Sequence, residues 1–479
     1  MQRKFLTNIA FLIFINFLIK PFWILGIDRT VQNTVGPYEY GLYFAILNFS
    51  FLFQMLLDFG VNNFNSRAIS RNQKLLPLFL PNIFLVKIIL SGAYLVISYL
   101  IAQILGFSEF QLNILFLLIL NQILASFALY FRSNIGAMQR FKTDAVLSVL
   151  DKLLMILIVG VLLWGDVTDH FELVWFIYAQ TVSYFITALI SLIIVLQISG
   201  KIVFRLKLSI FKKIMKLSYP FALLGLLMTF YNRIDGIMIE RLIPGRAGAE
   251  EAGIYAASFR LLDAMNMIGY AFATILLPMY ARLIKKKEEV NTIVNLSAKT
   301  LGVISVVIIV SCFFYRMEIM ELLYHQADEY YGNIFGLLIT SFFGVAALYI
   351  FGTLLNANGS MKQLNIIALA GAGLNIVLNY FLILKYHALG ATVATVITQF
   401  LIAFIHIYLA KKYFQISLTT VAWKLMLLLL SLITLGIFSR TFPMEWWINF
   451  SIIIIAGIFI ALILRLWDIR DWMKEIKQV

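Results

Sequence analysis

Ile27-Asp28-Arg29, six residues, and then Gly36-Pro37-Tyr38-Glu39-Tyr40-Gly41-Leu42-Tyr43-Phe44-Ala45 return 212 positions later as Ile239-Glu240-Arg241, six residues, and Gly248-Ala249-Glu250-Glu251-Ala252-Gly253-Ile254-Tyr255-Ala256-Ala257. The match needs no gap. Chance similarity between two apolar stretches does not explain why Arg, Gly, Glu, Gly and Tyr coincide. A second echo, AMQRFK at 137–142 on ANGSMK at 357–362, lies 220 positions apart, so the second half carries one longer connection. Duplication inside a membrane chain points to a transporter whose halves rock about a central site.

Composition places the chain in a bilayer. Hydrophobic residues make up 62% and charged residues 13%, with a mean hydropathy of +0.92, whereas soluble domains carry about 25% charged residues. The single cysteine, Cys312, excludes a disulfide framework and a multi-cysteine metal site. The four histidines (His170, His325, His387, His406) are scattered, so neither a metal nor another cofactor is expected. His406, in mid-span, reads as a packing residue. The net charge of +14 would suggest nucleic acid in a soluble protein, but here the positive residues sit in short loops between apolar spans. No nucleic-acid partner is expected. Arg3-Lys4 followed by an apolar run resembles a signal peptide, yet Lys20-Pro21 interrupts the run and no small-x-small site follows, which reads as a retained first helix.

Crossing about 30 Å of hydrocarbon takes roughly 20 apolar residues. Fourteen spans qualify: 5–27, 38–61, 78–104, 110–131, 143–164, 173–198, 213–240, 252–281, 293–315, 333–356, 364–384, 388–410, 419–439 and 446–466. Lys and Arg alternate loop by loop, 25 in loops or at span ends on the side that holds the N-terminus and six on the other, with the remaining seven deeper in the spans. The positive-inside rule then makes both termini cytoplasmic. Trp446-Trp447 fits an interfacial anchor. The longest polar stretch, near 199–212, falls where a link between two six-span halves belongs. The expected domains are therefore an N-terminal lobe over 1–199, a C-terminal lobe over 200–412, and a helix pair with a cytoplasmic tail over 413–479. Corresponding spans enter from the same side, so the repeat is parallel, about an axis along the membrane normal, and a cavity is expected between the lobes.

Ordered along nearly the whole chain are GPYEYGLY (36–43), LLDFG (56–60), AMQRFK (137–142), YNRID (231–235), AGIYAASFRL (252–261), LLPMYARL (276–283) and LNIVLNYFLI with ALGATVAT (374–395). In this order and spacing the chain resembles the polysaccharide-biosynthesis (O-antigen and capsule repeat-unit) flippases of the multidrug/oligosaccharidyl-lipid/polysaccharide exporter superfamily. The resemblance implies an all-α polytopic fold with two lobes in a V. It also implies movement of undecaprenyl-pyrophosphate-linked sugar units from the inner to the outer leaflet of a bacterial cytoplasmic membrane. The implied partners are the lipid-linked oligosaccharide, membrane lipids, and a polysaccharide polymerase with glycosyltransferases.

Charges within the spans are the candidate site, because a cation at the bilayer centre costs about 2.5–3.5 kcal/mol and normally faces a bundle interior or a watery cavity. Lys20, Arg233 and Arg260 come from both lobes, and a pyrophosphate needs such groups: guanidinium pairs bidentately with phosphate oxygens and ammonium acts as a point charge. Asp235 and Asp263 lie close by, Asp263 three residues after Arg260 on the same helix face. Internal ion pairs are the competing reading for all of these. Asp58, Lys87 and Asp151-Lys152 form a second polar set within the first lobe, read as structural pairing. Lys299 and Lys424 snorkel from span starts and receive no role.

Three other functions fit parts of the pattern. An ion-coupled multidrug exporter of the same superfamily would share fold and repeat but depend on lobe carboxylates, where the first span offers Lys20. A lipid II flippase would share the fourteen spans and the cationic cavity. A glycosyltransferase or polymerase would need a sizeable loop with paired acids, and none exists, so the chain is not read as an enzyme. The charge bias predicts that reporter fusions after Lys142, Lys207 and Lys287 all read cytoplasmic; one external reading breaks the topology.

Overall fold

A computed structural model describes residues 15–16, 18–165, 170–200 and 208–467. The N-terminal pair Arg3-Lys4, residues 201–207 of the proposed interlobe link, the acids Asp166 and Asp169, and the tail cations from Arg470 onward lie outside the described residues. Every described element is helical, and no strand occurs among them. Eleven helices are long and apolar enough to cross a membrane among the described residues. This is an all-α polytopic membrane protein. The chain divides into two compact units, Met1–Gly253 and Ile254–Val479.

In the first unit a helical stretch at 18–22 passes through a π-turn, Trp23–Asp28, into α1 (Arg29–Leu52). A 3₁₀ turn (Gln54–Leu57) leads to α2 (Val61–Arg71), followed by α3 (Leu76–Ile104), α4 (Glu109–Ala137), α5 (Phe141–Trp164), α6 (Leu173–Ser199) and α7 (Leu208–Leu242). Local signals set several boundaries. Pro77 occupies the first turn of α3, where its missing N–H is not needed. Ser108 and Gln111 close a reciprocal capping box at the start of α4. Gly36 bends α1 with φ +81°, a conformation open to glycine at little steric penalty, and so separates the first span from the second.

The second unit takes most of α8 (Arg246–Lys286), then α9 (Asn291–Phe314), α10 (Arg316–Leu323), α11 (Glu329–Ala347), a π-turn (Leu348–Gly352), α12 (Thr353–Ala357), α13 (Met361–Phe414), α14 (Thr419–Ser439) and α15 (Trp446–Ile463). The 54-residue α13 is broken at His387 (φ +53°), which separates the expected spans 364–384 and 388–410. Gly390 permits that tight return, since a side chain there would collide with the Leu382 carbonyl. The last two helices pack on α9: Val303, Val307 and Val310 meet Leu428, Leu432 and Ile453 in one buried cluster. Gly302 lies against Leu425, Gly436 against Phe314 and Gly457 against Val307, small residues letting helices approach where lipid supplies no hydrophobic drive.

Helix α7 belongs to the first unit because it runs along α1. Gly225 packs on Met55, the Phe53 and Phe230 rings meet edge-on at 6.3 Å, and Gly236 lies against Phe44 and Asn48. The compact units therefore part at Gly253, beyond α7.

The repeat reappears as a reciprocal contact. A Cβ on Gly41 would overlap the Ala249 carbonyl, and one on Gly253 would overlap the Pro37 carbonyl. At the 212-residue offset Gly41 corresponds to Gly253 and Pro37 to Ala249, so the two contacts are copies of one another, as a local two-fold axis between the glycines requires. The turn before the second copy differs: Gly248 sits within α8 against the Glu240 and Ile243 carbonyls, and the positive φ falls on Gly245, after Pro244. Gly41→Ala is expected to lower thermal stability by about 1–3 kcal/mol through backbone overpacking. Gly92→Ala in α3, where nothing lies within 4 Å, should be neutral or slightly stabilising. Fluorescence melts of both variants in detergent check the contrast.

Candidate substrate-binding site

Lys20 is held beside α5. Asn16 Nδ2 donates to Ser148 Oγ at 3.0 Å, and one turn further along both helices Lys20 enters the electrostatic field of Asp151, Lys152 and Arg132. Lys152 lies 3.4 Å from Asp151, donates to the Tyr184 hydroxyl at 3.2 Å, and sits 5.2 Å from the ring centroids of both Trp23 and Tyr184. Arg132 donates to Asp144 at 3.0 Å. Three cations thus share two carboxylates, which leaves an excess of one positive charge inside the first unit. The sequence reading separates Lys20 from Asp151-Lys152; the structure joins them in one cluster.

Arg233, half-buried on α7, stacks its guanidinium 5.3 Å over Phe51 of α1 and engages further partners. Asp235, two residues on, is 1% exposed and also partnered. Arg260 and Asp263 are half-buried on α8, each with interactions of its own. Lys20, Asp58, Arg233 and Asp235 belong to the first unit, and Arg260 and Asp263 to the second. Asp58 pairs with Lys87 at 3.6 Å; the Lys87 side chain is wholly buried and that of Asp58 is 25% exposed.

One polar cluster went unnoticed in the sequence. Gln111 at the start of α4 donates to Glu240 at 2.8 Å and accepts from Arg241 at 2.9 Å, while Arg241 pairs with Glu240 at 2.9 Å and stacks 4.0 Å over Phe107. The signal was present in the repeat, which aligns Glu240 with Asp28. Asp28 is itself buried and accepts from the Tyr40 hydroxyl at 2.7 Å. Both copies thus keep an acid at the position that closes the preceding span.

Solved structures share this many-spanning helical fold. A lipid II flippase, MurJ, in an inward closed conformation superposes with a TM-score of 0.68 at 16% identity, covering 94% of this chain and 98% of that one. An inward-facing multidrug resistance MATE family transporter of the MOP superfamily gives 0.60 at 12% identity over 82% and 94%. A MOP superfamily transporter from Pyrococcus furiosus gives 0.55 at 12% identity over 85% and 94%. Residues 5–284 match the model of the polysaccharide biosynthesis protein family, and the chain belongs to that family. No match was found among curated protein sequences.

The shared carboxylate makes the charge cluster asymmetric. Asp151→Asn removes the acid that both Lys20 and Lys152 face and should destabilise by about 3 kcal/mol. Lys152→Met leaves Asp151 to Lys20 and should cost about 1 kcal/mol. Equal losses in melting temperature for the two variants would show that Lys20 does not share Asp151.

Proposed function

We propose that this protein is a flippase that carries undecaprenyl-pyrophosphate-linked oligosaccharide repeat units from the inner to the outer leaflet of a bacterial cytoplasmic membrane by alternating access, with both termini cytoplasmic. The observation that carries the reading is membership of the polysaccharide biosynthesis family in a chain that keeps Lys and Arg inside its spans. Lys20, Arg233 and Arg260 bind the pyrophosphate. Asp58, Asp235 and Asp263 are cavity acids or members of internal ion pairs. The partners are the lipid-linked oligosaccharide and surrounding lipids, and the polymerase and glycosyltransferases that make and consume the unit. A lipid II flippase is the second reading, favoured by the likeness in fold to MurJ over nearly the whole of both chains. An ion-coupled multidrug exporter is the third, and against it weighs that Asp151, the carboxylate facing Lys20 among the described residues, already engages Lys152.

If the cations hold pyrophosphate, Arg233→Ala and Arg260→Ala should abolish delivery of lipid-linked sugar to the outer leaflet while leaving folded protein in the membrane. Lysine at either position should rescue in part, because an ammonium keeps the charge and loses the bidentate fork. A pair with only a structural role behaves otherwise: Arg260→Ala would destabilise, and adding Asp263→Ala would restore the protein. A double variant that flips sugar as well as the parent at equal expression would refute the assignment of Arg260. Accumulation of inner-leaflet lipid II rather than polysaccharide precursors in a depleted strain would transfer the assignment to the second reading.

A further inference from the structure

The second expected span, 38–61, is broken within its bounds. Helix α1 ends at Leu52; Gln54–Leu57 form a 3₁₀ turn, Phe59 and Gly60 both have positive φ (+45° and +76°), and α2 starts at Val61. A helix that stops there leaves carbonyls without intrahelical donors and presents the negative end of its dipole. Lipid has nothing to offer them.

At the Leu57 carbonyl a buried cation meets this demand. Lys87, reaching from α3, is wholly buried, and its Nζ donates to the Leu57 carbonyl at 3.0 Å and to Ser126 Oγ of α4 at 2.8 Å, with Asp58 Oδ1 at 3.6 Å. The same carboxylate oxygen accepts from the Asn62 backbone N–H at 3.2 Å at the start of α2, and the Tyr130 ring centroid lies 5.9 Å from the ammonium. A carbonyl at a helix break, a hydroxyl and a carboxylate from separate elements are the hard oxygen donors that monovalent cations take in discontinuous membrane helices.

We propose that the break at 53–60 is a monovalent-cation seat that the Lys87 ammonium fills as a tethered ion. The charge on the seat holds α1, α2, α3 and α4 in register across the break, so Lys87 is a positioning residue. The wild-type seat is closed to free ions, and removing the ammonium while leaving its space opens it to Na⁺, K⁺ or NH₄⁺. The seat belongs to the first copy only: at the 212-residue offset Lys87 corresponds to Lys299, but Asp58 corresponds to Tyr270. Neither the seat nor its filling depends on which lipid-linked sugar the protein carries.

The full-length protein in detergent, melted at constant ionic strength in chloride salts of sodium, potassium, ammonium or the bulky N-methylglucamine, reads the seat directly. Wild type should melt at one temperature in all four. Lys87→Ala should melt lower in N-methylglucamine and recover by about 5 °C, saturably, in at least one small cation, since a ligand bound only to the folded state raises its stability by mass action. Lys87→Met, which fills the space with no charge, should fall and show no recovery. The Lys87→Ala, Asp58→Asn pair should also lose the response. The proposal is overturned if Lys87→Ala melts identically in every salt, if it cannot be recovered folded in any of them, if Asp58→Asn leaves its response intact, or if wild type responds as strongly.

Discussion

No water reaches the middle of a bilayer to satisfy a polar group, so every place where this chain leaves the α-helix or buries a charge has to supply its own partner. The bends within and between the spans draw such partners from neighbouring side chains. At the π-turn Trp23–Asp28 the acid is buried and met by the Tyr40 hydroxyl from beyond the bend at Gly36. At the break after Leu52 the Lys87 ammonium meets the Leu57 carbonyl, and the Tyr94 hydroxyl donates to the Ser50 carbonyl at 2.7 Å. At the return around His387 the Leu389 N–H finds the Tyr330 hydroxyl at 3.4 Å. Position and partner come as pairs, which is why the bends fall where a long polar side chain from a neighbouring helix can reach.

Packing follows the same economy of chemistry. With no hydrophobic gain from leaving lipid, helices associate by close approach, and the Gly41–Gly253 crossing brings backbones together without intervening side chains. Gln32 seals that crossing by donating to the Gly253 carbonyl at 2.9 Å. The tyrosines that follow each glycine play matching parts: Tyr43 takes a hydrogen bond from Gln180 at 2.8 Å, and Tyr255 lies 3.4 Å from Thr395, oxygen to oxygen. Gln180 and Thr395 stand in the sixth and twelfth spans, so each copy ties its second span to its last through the same tyrosine and a different partner. Duplication preserved the joint and let its opposite face drift.

What the sequence disclosed was what is linear. A 212-residue offset needs only residue order, and apolar run length gives the spans, including the pair within α13 that one continuous element joins. Azimuth is not linear. Lys20 and Asp151 are 131 positions apart, and nothing in either span says that they face one another. The fit of α7 against α1 was equally hidden, since Gly225, Phe230 and Gly236 announce a close helix neighbour without naming it. The shift of the second turn from Gly248 to Gly245 has a local cause: Pro244 presets the turn, and Gly245 takes the φ that Gly36 takes in the first copy.

The internal cations of the first unit then separate by how their charge is used. Lys87 has no exposed surface, and carbonyl, hydroxyl and carboxylate surround its ammonium, so its charge is consumed in holding a break. Arg132 has its own acid in Asp144. Lys20 and Lys152 are left to divide Asp151, and Lys152 holds the better place, with a phenol oxygen and two aromatic faces besides. Of these four cations, Lys20 is the one whose field is least compensated. Under the proposed function that imbalance has a use: in a medium where an uncompensated charge is expensive, a lipid-borne diphosphate would bring the required sign without asking the protein to bury a further acid.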